Sequence, residues 1–136
     1  MTRINIIPVE ELFDQHLIAE YREITMIPAA LNRTLNSSKG LIISRISKKY
    51  TLNTGHVYFF YDKGKYLDKR YTLIIEEMRM RGFKPNKERK FPKEIFLTNR
   101  LYNDWVPSIE DYIIIRKRIL QKINLKPEWY KKTSYK

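Results

Sequence analysis

Cysteine is absent from the 136 residues. No disulfide framework and no zinc–thiolate site can form, and a reducing compartment suits such a chain. Only two histidines occur, His16 and His56, so an imidazole-rich metal centre has few ligands to draw on. No run of about eighteen apolar residues marks a membrane span. Glu10, Glu11 and Asp14 interrupt the N-terminus before the apolar core of a signal peptide could develop. A glycine-rich phosphate loop and a GxSxG nucleophile elbow are both missing, as are internal repeats and low-complexity linkers. These absences lead us to expect one domain over residues 1–136 of an intracellular, cytoplasmic protein. A chain of this size buries about two-thirds of its unfolded surface without covalent staples.

Acidic residues are also scarce against basic ones. Lys and Arg number 27 and Asp and Glu 15, a formal charge of +12, with a pI near 9.9. A domain this basic has the electrostatic footprint of a polyanion binder, because each cation can displace a counterion condensed on phosphate. Aromatic residues make up 13%, which serves base stacking and a tyrosine-rich core equally well.

Hydrophobic periodicity predicts an all-α fold of three principal helices with long ordered loops. Pro8 ends an extended lead segment, and Val9, Leu12, Phe13, Leu17, Ile24 and Ile27 recur at helical spacing. Pro28 predicts a break near Thr25–Ile27, with a second piece from Ala29 to Asn36. Residues 41–61 read as irregular. After Gly64, the stripe Leu67, Tyr71, Ile74, Ile75 and Met78 predicts a helix that Gly82 stops. Residues 84–107 read as a loop with one helical turn near Lys93–Leu97. The last helix is capped by Ser108 with Asp111 three residues on, and its expected buried stripe is Ile109, Tyr112, Ile113, Ile119 and Ile123.

On the first helix, His16, Glu20 and Glu23 share a face with Val9 and Leu12, and Gln15 and Arg22 form the neighbouring stripe. Polar groups on a face that would be apolar if it only packed suggest a cleft. An ordinary solvated face with Glu–Arg pairing fits the same spacing. One histidine and two carboxylates are a thin ligand set, so no metal is expected.

Thr2 is small, so removal of Met1 is expected to expose a threonine α-amine. Its reference pKa of roughly 8 leaves far more neutral amine at pH 7 than a lysine near 10.4. Arg3 beside it depresses that value further, and a neutral primary amine can attack a sugar carbon and form a Schiff base. Arg118 and Lys122, four apart, are spaced to grip successive phosphates. Trp129, Tyr130 and Lys131 mix rings with a cation; they suit stacking on DNA, or a flexible basic tail.

Taken together, these residues fall into ordered blocks. Met1-Thr2-Arg3-Ile4-Asn5 is followed by Val9-x-Glu11-Leu12-x-Asp14-Gln15-His16-Leu17-x-Ala19-Glu20-Tyr21-Arg22-Glu23. Then come Gly55-His56-Val57-x-Phe59-Phe60-Tyr61-Asp62-Lys63, Arg81-Gly82-Phe83 and Pro127-x-Trp129-Tyr130-Lys131. The series resembles the bacteriophage-type pyrimidine-dimer DNA glycosylase family, also called ultraviolet endonuclease V, over nearly the whole chain, with residues 84–107 the least alike.

The resemblance implies a single compact all-α domain whose N-terminal segment threads between the first and last long helices. It implies cleavage of the 5′ glycosidic bond of a cyclobutane pyrimidine dimer in duplex DNA, then strand nicking by β-elimination. The Thr2 amine would be the nucleophile and Glu23 the stabilising carboxylate, kept ionised by Arg3 and Arg22. Arg3, Gln15, His16, Arg22, Arg118, Lys122, Trp129, Tyr130 and Lys131 match positions that line the site or touch DNA. No cofactor is implied, and a monomer acting on ultraviolet-damaged double-stranded DNA is expected. Met26 departs from a basic phosphate contact in the family's phage enzyme, Lys132-Thr133 replaces further aromatics, and Pro28 alters the end of the first helix. The rival readings are a glycosylase of the same mechanism for other damaged bases and a non-catalytic nucleic-acid-binding module.

Overall fold

Leu12 and Phe13 adopt extended backbone and interrupt the helical periodicity that starts at Val9. The computed structural model, which describes residues 3–136, therefore has a single 3-10 turn at Val9–Glu11 and then α1, Asp14–Glu23. The continuous helix expected from Val9 is broken because Asp14 is drawn into a buried ion pair at this corner. Helix α2 spans Met26–Leu35 and begins earlier than the expected Ala29. Pro28 sits in its first turn, where the missing N–H would have had no helical partner.

The stretch 41–61 is irregular apart from a 3-10 turn at Ile43–Arg45 and the short helix α3, His56–Phe59. Helix α4, Gly64–Met80, buries Leu67, Tyr71, Ile74 and Met78, and Gly82 ends it at φ +88°, a left-handed stop that glycine adopts without steric cost. Gly64 has a different reason: a Cβ there would lie 2.3 Å from the Phe96 ring. That ring belongs to α5, Glu94–Thr98, one residue beyond the expected turn. Among the described residues every regular element is a helix or a 3-10 turn.

Helix α6, Ile109–Leu125, starts on the expected capping box: the Asp111 N–H donates to the Ser108 hydroxyl and the Ser108 N–H to the Asp111 carboxylate. Its buried stripe differs from the expected one. Ile115 and Ile119 are buried, with Tyr112 and Ile123 packed partly beside them, whereas Ile109 and Ile113 face outward. With isoleucines on both faces, periodicity alone could not choose the phase.

Residues 3–7 run between α1 and α6. Ile4, Ile6 and Ile7 are buried, and Ile7 shares a groove with Ile119 and Ile123 of α6. Ile6 has φ +52°, and the Ile7 N–H closes a tight turn onto the Asn5 carbonyl. A β-branched residue in this region is strained by about 1–3 kcal/mol, so the surroundings must hold it there. No helix among the described residues is long and apolar enough to cross a membrane.

Candidate active site

The groups that hold residues 3–7 come from three helices and from Tyr50 in the irregular stretch before α3. Glu20 of α1 is only 1% exposed. One of its carboxylate oxygens accepts from the Asn5 backbone N–H at 3.0 Å and the Asn5 side-chain amide at 2.9 Å. Arg70 of α4 donates to the same carboxylate through Nε at 2.6 Å and Nη2 at 3.1 Å, and its Nη1 donates to the Ile7 carbonyl. The chain is thus fixed on both sides of the strained Ile6.

Ile4 is held by two further groups. Its N–H donates to His56 Nε2 at 2.9 Å, and its carbonyl accepts from the Tyr50 hydroxyl at 2.8 Å. His56 Nδ1 lies 2.6 Å from the Thr51 carbonyl, so Nδ1 carries the proton and Nε2 is the acceptor. Burial pushes the His56 pKa down, which favours this neutral tautomer.

This clamp delivers Arg3 to Glu23. The Arg3 N–H donates to Glu23 Oε1 at 3.0 Å. Burial raises the Glu23 pKa, opposed by this hydrogen bond and by the Arg3 charge. Partial burial thus outweighs the cations that were expected to hold it down. Around the carboxylate stands a cationic rim. Arg3 has a lowered pKa, first from burial and then from Arg118. His16 is likewise lowered by burial, then by Arg3 and Lys122, so it too favours the neutral form. His16 Nδ1 and Arg118 Nε are shielded from solvent and take no hydrogen bond among the described residues. Buried polar atoms of this kind are uncommon and call for a partner.

A family model for pyrimidine dimer DNA glycosylases matches residues 1–91, which carry the clamp, Glu23 and His16. The chain belongs to the pyrimidine dimer DNA glycosylase family. It is therefore a DNA-repair glycosylase of pyrimidine dimers, and the helical fold agrees. Thr2, the expected nucleophile, lies outside the described residues. The matched residues end before α6 and the closing segment, so Arg118, Lys122, Trp129, Tyr130 and Lys131 are placed by the structure alone.

In this glycosylase the closing segment is tied to the opposite end of α1. The Gln15 side chain donates to the Trp129 carbonyl at 2.6 Å and accepts from the Lys131 N–H at 3.0 Å. The Asp14 N–H donates to the Lys131 carbonyl at 2.7 Å. The Asp14 carboxylate accepts from the Thr133 N–H at 3.1 Å, from the Thr133 hydroxyl and from Arg81 at 3.0 Å. Tyr135 donates to Glu77 and the Lys136 N–H to the Met80 carbonyl. This latch lays the Tyr130 ring on His16, with centroids 4.9 Å apart and planes at 13°. Trp129 stays exposed and meets Tyr130 edge-on at 5.0 Å.

The structure therefore gathers Arg3, His16, Glu23, Arg118, Lys122 and Tyr130 around one rim. Gln15 stands apart from it in role, since its amide is engaged with the tail. Arg22 is exposed, and its carbonyl accepts from the Arg89 guanidinium. Lys131 is exposed and Met26 faces outward from the start of α2. Glu20, read as part of the polar cleft stripe, is instead a buried ion-pair partner. The sequence reading missed Asn5, Tyr50, His56 and Arg70 as the seat of the lead segment. Arg70 had a visible signal: it interrupts the apolar stripe of α4 between Leu67 and Ile74. No described group of His, Asp and Glu is arranged to hold a metal.

Proposed function

We propose that this glycosylase cleaves the 5′ glycosidic bond of a cyclobutane pyrimidine dimer in duplex DNA and then nicks the strand as an AP lyase. The Thr2 α-amine, freed by removal of Met1, attacks the anomeric carbon of the deoxyribose. The bond to the pyrimidine breaks with its electron pair, and the base leaves with a proton. The nitrogen supplies that proton, and its other proton passes to the ring oxygen as the C1′–O4′ bond breaks and an imine forms. Loss of a proton from the adjacent carbon then expels the 3′ phosphate. Glu23 stabilises the cationic sugar and relays these protons, as an ionised carboxylate placed where positive charge develops. The imine is itself the electron sink, so this route asks for no cofactor.

The observation that supports this reading best is the hydrogen bond from the Arg3 N–H to Glu23. That nitrogen belongs to the Thr2–Arg3 peptide link, so the proposed nucleophile is one residue from the carboxylate that would assist it. Arg118 and Lys122, four apart on α6 and partly exposed, offer cations to the phosphates flanking an extruded nucleotide. Exposed Trp129 suits a ring that wedges against bases.

Borohydride reduction during incubation with dimer-containing duplex tests the proposal. An imine becomes a covalent protein–DNA adduct, and peptide mapping should place it on Thr2. Failure to trap any adduct while binding persists leaves only a nucleic-acid-binding module. Equal nicking of duplex carrying oxidised bases would move the substrate away from pyrimidine dimers.

A further inference from the structure

The lead segment reaches Glu23 from one side, and a loop grips the backbone that carries it from another. Residues 84–93 hold five cations against one acid, Glu88. Lys84, Lys87, Lys90 and Lys93 are exposed, and only Arg89 is partly buried. Its guanidinium lies 4.4 Å over the Tyr21 ring of α1 and 5.9 Å from the Tyr71 ring of α4, a stack that suits a planar, delocalised cation. Nη2 donates to the Arg22 carbonyl at 3.1 Å and to the Thr25 hydroxyl.

Those two acceptors lie on either side of Glu23. The Arg22 carbonyl is among the last four of α1, which lack acceptors' partners further along the helix, and a cation there meets the negative end of the helix dipole. Thr25 stands at the N-cap of α2, yet its side chain makes no cap bond and its hydroxyl accepts from Arg89 instead. One guanidinium thus ties the end of α1 to the start of α2, and Glu23 is the last residue of α1. The loop is itself pinned to the helices it braces. The Asn86 N–H donates to the Tyr21 hydroxyl at 3.0 Å and the Tyr71 hydroxyl to the Arg89 carbonyl at 3.1 Å. Within the loop the Asn86 side chain accepts from the Glu88 N–H and the Asn86 carbonyl from the Arg89 N–H, a local turn of the kind asparagine favours.

We propose that Arg89 is a positioning residue for base excision, bracing the corner between α1 and α2 so that the Glu23 carboxylate is held in one place against the lead segment. The inference rests on the role given to Glu23 above. Arg89 acts through the backbone at Arg22 and the hydroxyl at Thr25, so its fork and its plane matter more than its charge. A lysine keeps the charge but cannot stack on Tyr21 and serve both acceptors in the same way.

Arg89→Lys is therefore the deciding variant. Single-turnover base release from dimer-containing duplex, read as alkali-revealed strand scission, should fall about 10- to 100-fold. The duplex Kd and its salt slope should stay at wild-type values, because the charge is kept. Burial raises the Glu23 pKa, so a loosened corner that readmits water should move the acid limb of base release to lower pH. Arg3 and Glu20, the charged groups facing Glu23, are untouched by the substitution. Arg89→Ala should lose rate likewise, and millimolar guanidinium at constant ionic strength should restore part of it where ammonium does not. A lowered Tm with unchanged rate and pH limb below the melt would make Arg89 a structural anchor alone and overturn the proposal. A raised Kd with an unchanged rate at saturation would make it a phosphate contact and overturn it too. Full base release by Glu23→Gln would remove the earlier reading and this inference with it, whereas an inactive Glu23→Gln beside a fully active Arg89→Lys would sink this inference alone.

Discussion

Replacing Glu20 by Gln is the most informative single perturbation of the clamp. Glutamine keeps the shape and can still present an oxygen to the two Asn5 donors, but it turns an NH2 toward Arg70. Arg70 is 4% exposed and keeps bonds only to neutral oxygens, the Ile7 carbonyl and the retained amide oxygen, so its charge loses the one carboxylate paired with it among the described residues. Breaking a buried pair on one side costs about 3–5 kcal/mol, a large part of the roughly 5–15 kcal/mol that holds a domain together. For 136 residues, each kcal/mol moves Tm by about 3–4 °C, so Glu20→Gln should melt about 10–20 °C lower. Urea unfolding should give the same loss at unchanged m-value.

The companion variant Glu20→Leu/Arg70→Met separates stability from function. Replacing both charges by apolar groups recovers about 1–3 kcal/mol of the loss. It does not recover the acceptors that seat Asn5, so the Arg3–Glu23 contact should remain loose and glycosylase activity low. A Glu20→Gln protein within about 1 kcal/mol of wild type would refute the reasoning, because an unpaired buried guanidinium cannot be that cheap. So would a double variant with full activity.

The remaining predictions concern the rim, the histidines and the tail. Glu23→Gln retains an oxygen for the Arg3 N–H, so DNA binding should survive while single-turnover base release falls at least about 100-fold; near wild-type excision would remove Glu23 from the chemistry. Arg118→Ala and Lys122→Ala should each reduce the slope of log K against log salt by about 0.9, measured by fluorescence anisotropy on damaged duplex. His56 has a native pKa below its ordinary 6.5, so the unfolded chain takes up the proton first. Stability should be full above about pH 6.5 and decline as pH falls toward the lowered native value. His56→Gln should flatten that decline in urea midpoints, and an unchanged profile would exclude His56 as its source. Thr133→Val removes a donor from Asp14 and should raise hydrogen exchange over residues 129–136, with KM rising more than kcat falls.

What could be read from the chain was what local rules determine. The Ser108–Asp111 box, the Gly82 stop and the core stripe of α4 are each set within a few residues, and all three are present in the structure. The extended residues Leu12 and Phe13 could not be foreseen, because the groups that fix that corner, Arg81 and Thr133, are distant in sequence. The same holds for Glu20. Its spacing with His16 and Glu23 correctly put all three on one edge of α1, but its partner Arg70 is fifty residues away. Gln15 shares a polar stripe with Arg22 and matches a site-lining position of the family, and only the fold shows that its amide meets Trp129 and Lys131.

The buried charges also explain how a chain of net charge +12 presents its cations to DNA. Asp14, Glu20 and Glu77 are buried with Arg70 and Arg81, so the interior holds three carboxylates and two guanidiniums. The interior is therefore anionic by one charge, and the whole cationic excess lies on groups in contact with solvent or the site rim. Each buried carboxylate also positions one chain end: Glu20 takes Asn5 at the start, while Asp14 and Glu77 take Thr133 and Tyr135 at the finish. Helix α1 thus carries the lead segment on Glu20 and Glu23 and the closing segment on Asp14 and Gln15. A single ten-residue helix sets the separation between the carboxylate at Glu23 and the ring of Tyr130. On the proposed mechanism, that separation sets whether a nucleotide held by the tail reaches the nucleophile, so the rigidity of α1 would serve the reaction as well as the fold.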